Sequence, residues 1–152
     1  MTAEQAFDDH HKAVYRFVYR LTGQPELAED ITQDCFVAIL REPQRWDGAR
    51  TDMKTYLFAI ARNLTFKRYR DEHINQQVDQ ELPVLVAQMV SQLPDLQREA
   101  LILFEYEGFQ LSEIAQIVKA DIGVVKSRLH RAREGLKRAL APQRKVETHE
   151  TV

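Results

Sequence analysis

The chain has 152 residues, formal net charge -2, 29% charged residues and a single cysteine, Cys35. One cysteine excludes an intramolecular disulfide framework, and the balance of apolar and charged residues is that of a folded chain rather than a disordered one. The polar N-terminal segment is unlike a secretion signal, and no apolar run reaches the roughly 20 residues of a membrane span, so a cytoplasmic protein without membrane insertion is expected.

Apolar residues recur at helical spacing along nearly the whole chain. Phe7, Val14, Phe17, Val18 and Leu21 predict a first helix, closed by TGQPE at 22–26. A second runs from about Pro25 to Leu40, with Leu27, Ile31, Cys35 and Ala38 on one stripe. Residues 41–52, REPQRWDGARTD, are rich in turn formers and read as a loop. Met53, Leu57, Ile60, Ala61 and Leu64 define a third helix to about Asp71. The polar stretch after it loses the period and places a flexible linker at 74–83. Short helices follow at Val84–Leu93, Asp95–Tyr106 and Leu111–Val118, and a last one starts near Ile122. Residues 142–152 carry no packing pattern and read as a disordered tail. No strand pattern and no repeat is present. The expected fold is all-α, with two small helical domains at 1–73 and 84–141.

Charge is unevenly placed. Lys119–Lys145 holds nine basic residues against two acids, a net +7, whereas Asp71–Val118 holds nine acids against Arg98 alone, a net -8. Such asymmetry points to contact with a polyanion. On the last helix Val125, Leu129, Ala132 and Leu136 form a narrow apolar stripe, and Lys126, Ser127, His130, Arg131, Lys137 and Arg138 fall away from it. A short helix, the turn Lys119–Asp121 and this helix make a helix-turn-helix pattern, whose second helix enters the DNA major groove.

Two further faces stand out. Asp30, Gln33, Asp34 and Val37 share one side of the second helix, away from its core stripe. An acidic patch around an exposed apolar centre suits a protein partner, or plain solvent. On the third helix Arg62, Phe66 and Tyr69 lie opposite the core stripe, with Asn63 and Arg70 beside them. Aromatics interleaved with arginine suit unpaired bases, because stacking tolerates any base; Phe66 also fits a packing role. Enzymatic signals are missing. The five histidines have no metal-ligand spacing, and no glycine-rich phosphate loop or nucleophile motif occurs. No cofactor, metal site or catalytic residue is expected.

The segment LPDLQREALILFEYEGFQLSEIAQIVKADIGVVKSRLHRARE at 93–134 resembles the promoter-reading domain of the extracytoplasmic-function sigma factors, group 4 of the sigma-70 family. AEDITQDCF at 28–36 and TYLFAIARN at 55–63 resemble their other conserved domain, so the likeness covers about Phe7–Leu140. It implies sigma region 2 in the first domain and region 4 in the second. By resemblance, Lys126, Ser127, His130 and Arg131 read the -35 element, while Arg98, Lys137 and Arg138 contact the DNA backbone. Arg62, Asn63, Phe66, Tyr69 and Arg70 meet the -10 element, and the loop Asp47–Asp52 holds a flipped-out base. Asp30, Gln33, Asp34 and Val37 dock on core RNA polymerase. The implied partners are the clamp helices and flap of that enzyme, promoter DNA and an anti-sigma factor. Lys119 stands where the family has a turn glycine and Gln110 where it has a Ser or Thr cap, which bears on affinity at -35. Rival readings are a helix-turn-helix regulator, which leaves the first domain's faces unused, and a sigma mimic that sequesters an anti-sigma factor.

Overall fold

The computed structural model describes the backbone of residues 2–72 and 85–150, and the side chains of 2–68 and 88–139. The expected linker, 74–83, lies outside the described residues, as do residues 151–152.

Helix α1 (Ala3–Thr22) begins at a capping box. Thr2 Oγ1 accepts the Gln5 N–H at 3.1 Å and Gln5 Oε1 accepts the Thr2 N–H at 2.9 Å, so two orphan donors of the first turn are satisfied. Gly23 ends it at φ 70, where only glycine escapes steric cost. Pro25, at the first position of α2 (Pro25–Arg41), starts the return helix. Val14, Phe17, Val18 and Leu21 then bury against Leu27, Ile31 and Cys35, and α3 (Met53–Glu72) closes this core with Leu57, Phe58 and Ala61.

The loop between α2 and α3 is pinned by its own side chains. A 3-10 turn occupies Pro43–Arg45. Trp46 Nε1 donates to the Thr51 carbonyl at 3.0 Å, and Asp47 Oδ1 accepts the Ala49 N–H at 3.0 Å. Asp52 Oδ1 accepts the Thr55 N–H at 2.7 Å and caps α3.

In the second half, α4 (Leu85–Ser91) stops before Pro94, and α5 (Asp95–Leu101) leads into a π-type turn at Ile102–Tyr106. The sequence reads α5 and this turn as one continuous helix; the period alone does not reveal the i→i+5 bonding. After Gly108 (φ 74), α6 (Leu111–Val118) and α7 (Ile122–Glu150) complete the chain. Among the described residues there is no strand.

Helix α7 carries its helical backbone through Pro142 to Glu150, whereas the sequence reads 142–152 as unstructured. Apart from Pro142, residues 141–150 contain no strong helix breaker; Ala, Gln, Arg, Lys and Glu in that stretch favour propagation. Both halves share one apolar cluster: α3 packs on α6, and α1 packs on α4, α5 and the π-type turn.

Candidate nucleic-acid interface

Helix α6 and the start of α7 position the cationic face. Glu113 Oε1 reaches back to accept the Gln110 N–H at 2.9 Å. This bond offsets the weak cap expected of glutamine, because the third helical residue closes the box from its own side. Lys119 ends α6 at φ 54, ψ 51, the left-handed conformation that the family's glycine takes freely. Ile114, Ile117 and Val118 pack against Val125, Leu129 and Ala132, which fixes the crossing of the two helices. The opposite side of α7 is therefore outward. Lys126, Ser127, His130 and Arg131 are all exposed, as are Lys137 and Arg138. Lys137 Nζ reaches Glu134 at 3.5 Å, a pair too exposed to hold it.

Arg98 requires correction. Its side chain is 2% exposed and cannot touch a DNA backbone. One terminal nitrogen donates to the carbonyls of Ser91 at 2.6 Å and Leu93 at 3.3 Å, and the other pairs with Asp95. The guanidinium thus satisfies carbonyls stranded where α4 ends, a structural task for which a planar fork is suited. Its sequence signal was the proline: a helix stop before Pro94 leaves carbonyls in need of a donor.

On α3, Asn63 is exposed, while Arg62 and Phe66 are half-buried. The Arg62 guanidinium lies 4.7 Å from the centre of the Phe66 ring, and its Nε donates to Glu99 Oε2 at 2.8 Å. Phe66 thus backs the guanidinium but also packs against the apolar core, and Arg62 turns to an acid of the other half, so this face is less open than its position opposite the core stripe predicts. The side chains of Tyr69 and Arg70 lie outside the described residues. Glu99 was not singled out from the sequence. Its side chain is wholly buried, and burial raises its carboxyl pKa more than neighbouring Arg62 and Arg128 lower it.

Asp30, Gln33, Asp34 and Val37 are exposed together on α2, so the structure does bring that patch to one surface. Cys35 lies beneath it, fully buried, with its thiol pKa pushed far up by desolvation. A thiol so placed packs rather than reacts. Among the described residues no group of three or more metal-ligating side chains converges, and no helix is long and apolar enough to cross a membrane.

The family profile of Sigma-70 region 2 matches residues 6–73, and that of Sigma-70, region 4 matches residues 84–136. The chain belongs to the extracytoplasmic-function group of the sigma-70 family. It is 28% identical to the ECF RNA polymerase sigma factor SigW of Bacillus subtilis over 88% of this chain and 86% of that one. It is 26% identical to the ECF RNA polymerase sigma factor SigL of Mycobacterium tuberculosis, again over 88% of this chain and 86% of that one. Among solved structures it resembles the sigma factor RpoE of Bartonella quintana, crystallised with the anti-sigma factor NepR. That match has a TM-score of 0.76 and 27% identity over 91% of this chain and 96% of the other. The sigma factor described here is accordingly an alternative transcription initiation factor. Its region 4 is the helix-turn-helix half and its region 2 the half with the acidic patch.

Proposed function

We infer that this sigma factor binds core RNA polymerase through Asp30, Gln33, Asp34 and Val37, and places two readers on a promoter. Residues 1–73 form the polymerase and -10 module, and residues 84–141 the -35 module. Lys126, Ser127, His130 and Arg131 read base edges of the -35 element in the major groove, with Lys137 and Arg138 on phosphates, which position without specifying. Arg62, Asn63, Phe66, Tyr69, Arg70 and the loop 47–52 receive the -10 strand as it opens. The work is recognition and strand capture without a cofactor or a catalytic residue, carried out in the cytoplasm.

One observation carries this reading: four hydrogen-bonding side chains at the start of α7 face solvent together, on a helix held by a left-handed turn at Lys119. An anti-sigma factor is the expected regulator. Support comes from the likeness, along nearly the whole chain, to a sigma factor crystallised with one.

Run-off transcription with purified core polymerase tests the proposal. Promoter-directed transcripts are expected, and Asp34→Arg is expected to weaken polymerase binding with an unchanged fold. A protein that binds core enzyme yet directs it to no promoter would overturn the reading.

A further inference from the structure

The two halves hold each other through contacts that use the residues assigned to the -10 element. Arg62 of region 2 and Glu99 of region 4 meet at 2.8 Å, with Arg62 18% exposed and Glu99 fully covered. A second acid, Glu107, is also fully covered. It accepts from Arg16 at 3.0 Å and from Arg20 at 3.1 Å, both on α1. Arg20 additionally lies 4.5 Å from the centre of the Tyr106 ring. Between these ion pairs, Phe58 packs edge-on against Phe109 at 4.9 Å, with Lys54 Nζ 5.0 Å from the Phe109 ring centre. At the far end, Thr51 Oγ1 donates to Gln116 Oε1 at 3.3 Å. The loop 47–52 thereby faces the α6–α7 turn across a cleft of about 650 Å³ that includes Arg45, Tyr56 and Lys119.

We propose that region 4 masks region 2 by mimicry: the Glu99 carboxylate occupies the place on Arg62 that a DNA phosphate takes, and the Glu107–Arg16–Arg20 cluster latches the closed form. The proposal rests on the reading that Arg62 meets the -10 strand. A carboxylate and a phosphate both offer anionic oxygens to a guanidinium with similar geometry, so the two ligands exclude one another. The masking is one-sided. Lys126, Ser127, His130 and Arg131 stay exposed in the closed form. The free protein can therefore engage a duplex -35 element first, and its -10 face becomes available only on opening. The charge pattern fits this arrangement, because the acid-rich span of region 4 supplies both buried carboxylates to arginines of region 2.

The test uses the full-length chain free of polymerase. Small-angle scattering reports opening. Fluorescence anisotropy reports affinity for a single-stranded oligonucleotide of the non-template -10 strand and, separately, for a duplex -35 oligonucleotide, both from a mapped promoter. Arg16→Ala with Arg20→Ala, at exposed or half-exposed positions outside the assigned readers, releases the outer latch. Glu99→Gln removes the mimic. The Arg16/Arg20 variant is expected to enlarge the radius of gyration, whereas Glu99→Gln takes the counter-charge from Arg62 without requiring the halves to part. If the closed form holds about 90% of the wild-type population, single-strand affinity rises about tenfold, with duplex -35 affinity unchanged. Adding Arg62→Ala to the Arg16/Arg20 variant is expected to cancel the gain.

Unchanged radius and unchanged single-strand affinity in the Arg16/Arg20 variant, which does not depend on Glu99 tolerating substitution, would overturn the proposal. So would opening without a gain in affinity. If promoter-directed run-off persists in either case, only the latch has failed. Absence of such transcripts from wild type and open variants alike removes the -10 reading, and the latch with it.

Discussion

Arg98→Ala separates a structural arginine from a DNA contact. In the folded protein this side chain donates to two carbonyls, those of Ser91 and Leu93, and also pairs with half-exposed Asp95. Truncation leaves the two carbonyls without that donor, each costing about 1–2 kcal/mol when buried. The lost aliphatic packing of the stem adds about 1 kcal/mol. Asp95 regains water and contributes little. The sum is about 3–5 kcal/mol, a large part of the roughly 5–15 kcal/mol that holds a typical domain together. Arg98→Lys recovers only part of this, since an ammonium does not present the planar fork that spans three acceptors. Urea denaturation followed by circular dichroism reads the loss. Duplex -35 affinity, measured where the variant is folded, should not move. A variant as stable as wild type that binds every sequence more weakly would refute the argument and return Arg98 to the DNA surface.

Other substitutions probe the remaining elements. Arg131→Ala should cost about 1–3 kcal/mol at one position of the -35 site and relax specificity there; an equal loss on all sequences, in an anisotropy series of point-changed duplexes, would reassign it to phosphate. Lys119→Gly should stabilise the protein by about 1 kcal/mol in the same denaturation assay, because a residue with a Cβ is strained at φ 54. Glu99 gives a pH signature. Arg62 and Arg128 oppose the rise in its pKa, while burial and the charge of Asp95 promote it, and the net is upward from 4.5. The folded state then binds the proton more tightly than the unfolded state. Stability should increase as pH falls from above the raised value towards 4.5. Glu99→Gln should flatten that slope in denaturation curves taken across the interval.

Much of the architecture was legible because local signals agreed. Helix α6 occupies Leu111–Val118 as read, where a compact apolar stripe is bounded by Gln110 and by the turn at Lys119. The exposed faces of α2 and α7 also followed from period alone, since their core stripes leave only one direction for the charged residues. What period cannot convey is which charged residues turn inward to meet a distant partner. Arg62, Arg98, Glu99 and Glu107 read as surface residues by type, yet three of the four are at least 90% covered and the fourth is mostly so. Arg62, Glu99 and Glu107 are covered by pairing across the two halves, at separations that no local window spans, whereas Arg98 is buried by near neighbours around the helix stop before Pro94. For the pairs across the halves the available clue was complementary charge: an acid-rich region 4 faces arginines of region 2 at Arg16, Arg20 and Arg62.

The bracing of the loop before α3 has a consequence for selectivity. An added Cβ at Gly48 would come within 3.2 Å of the Trp46 indole, which is itself fastened to Thr51. Under the proposed -10 reading, a base arriving there meets a mould already set, and ordering the loop need not be subtracted from its binding energy. A rigid mould also adapts poorly to a different base, so on that reading tolerance of promoter variation should be smallest at the nucleotide proposed to enter this loop.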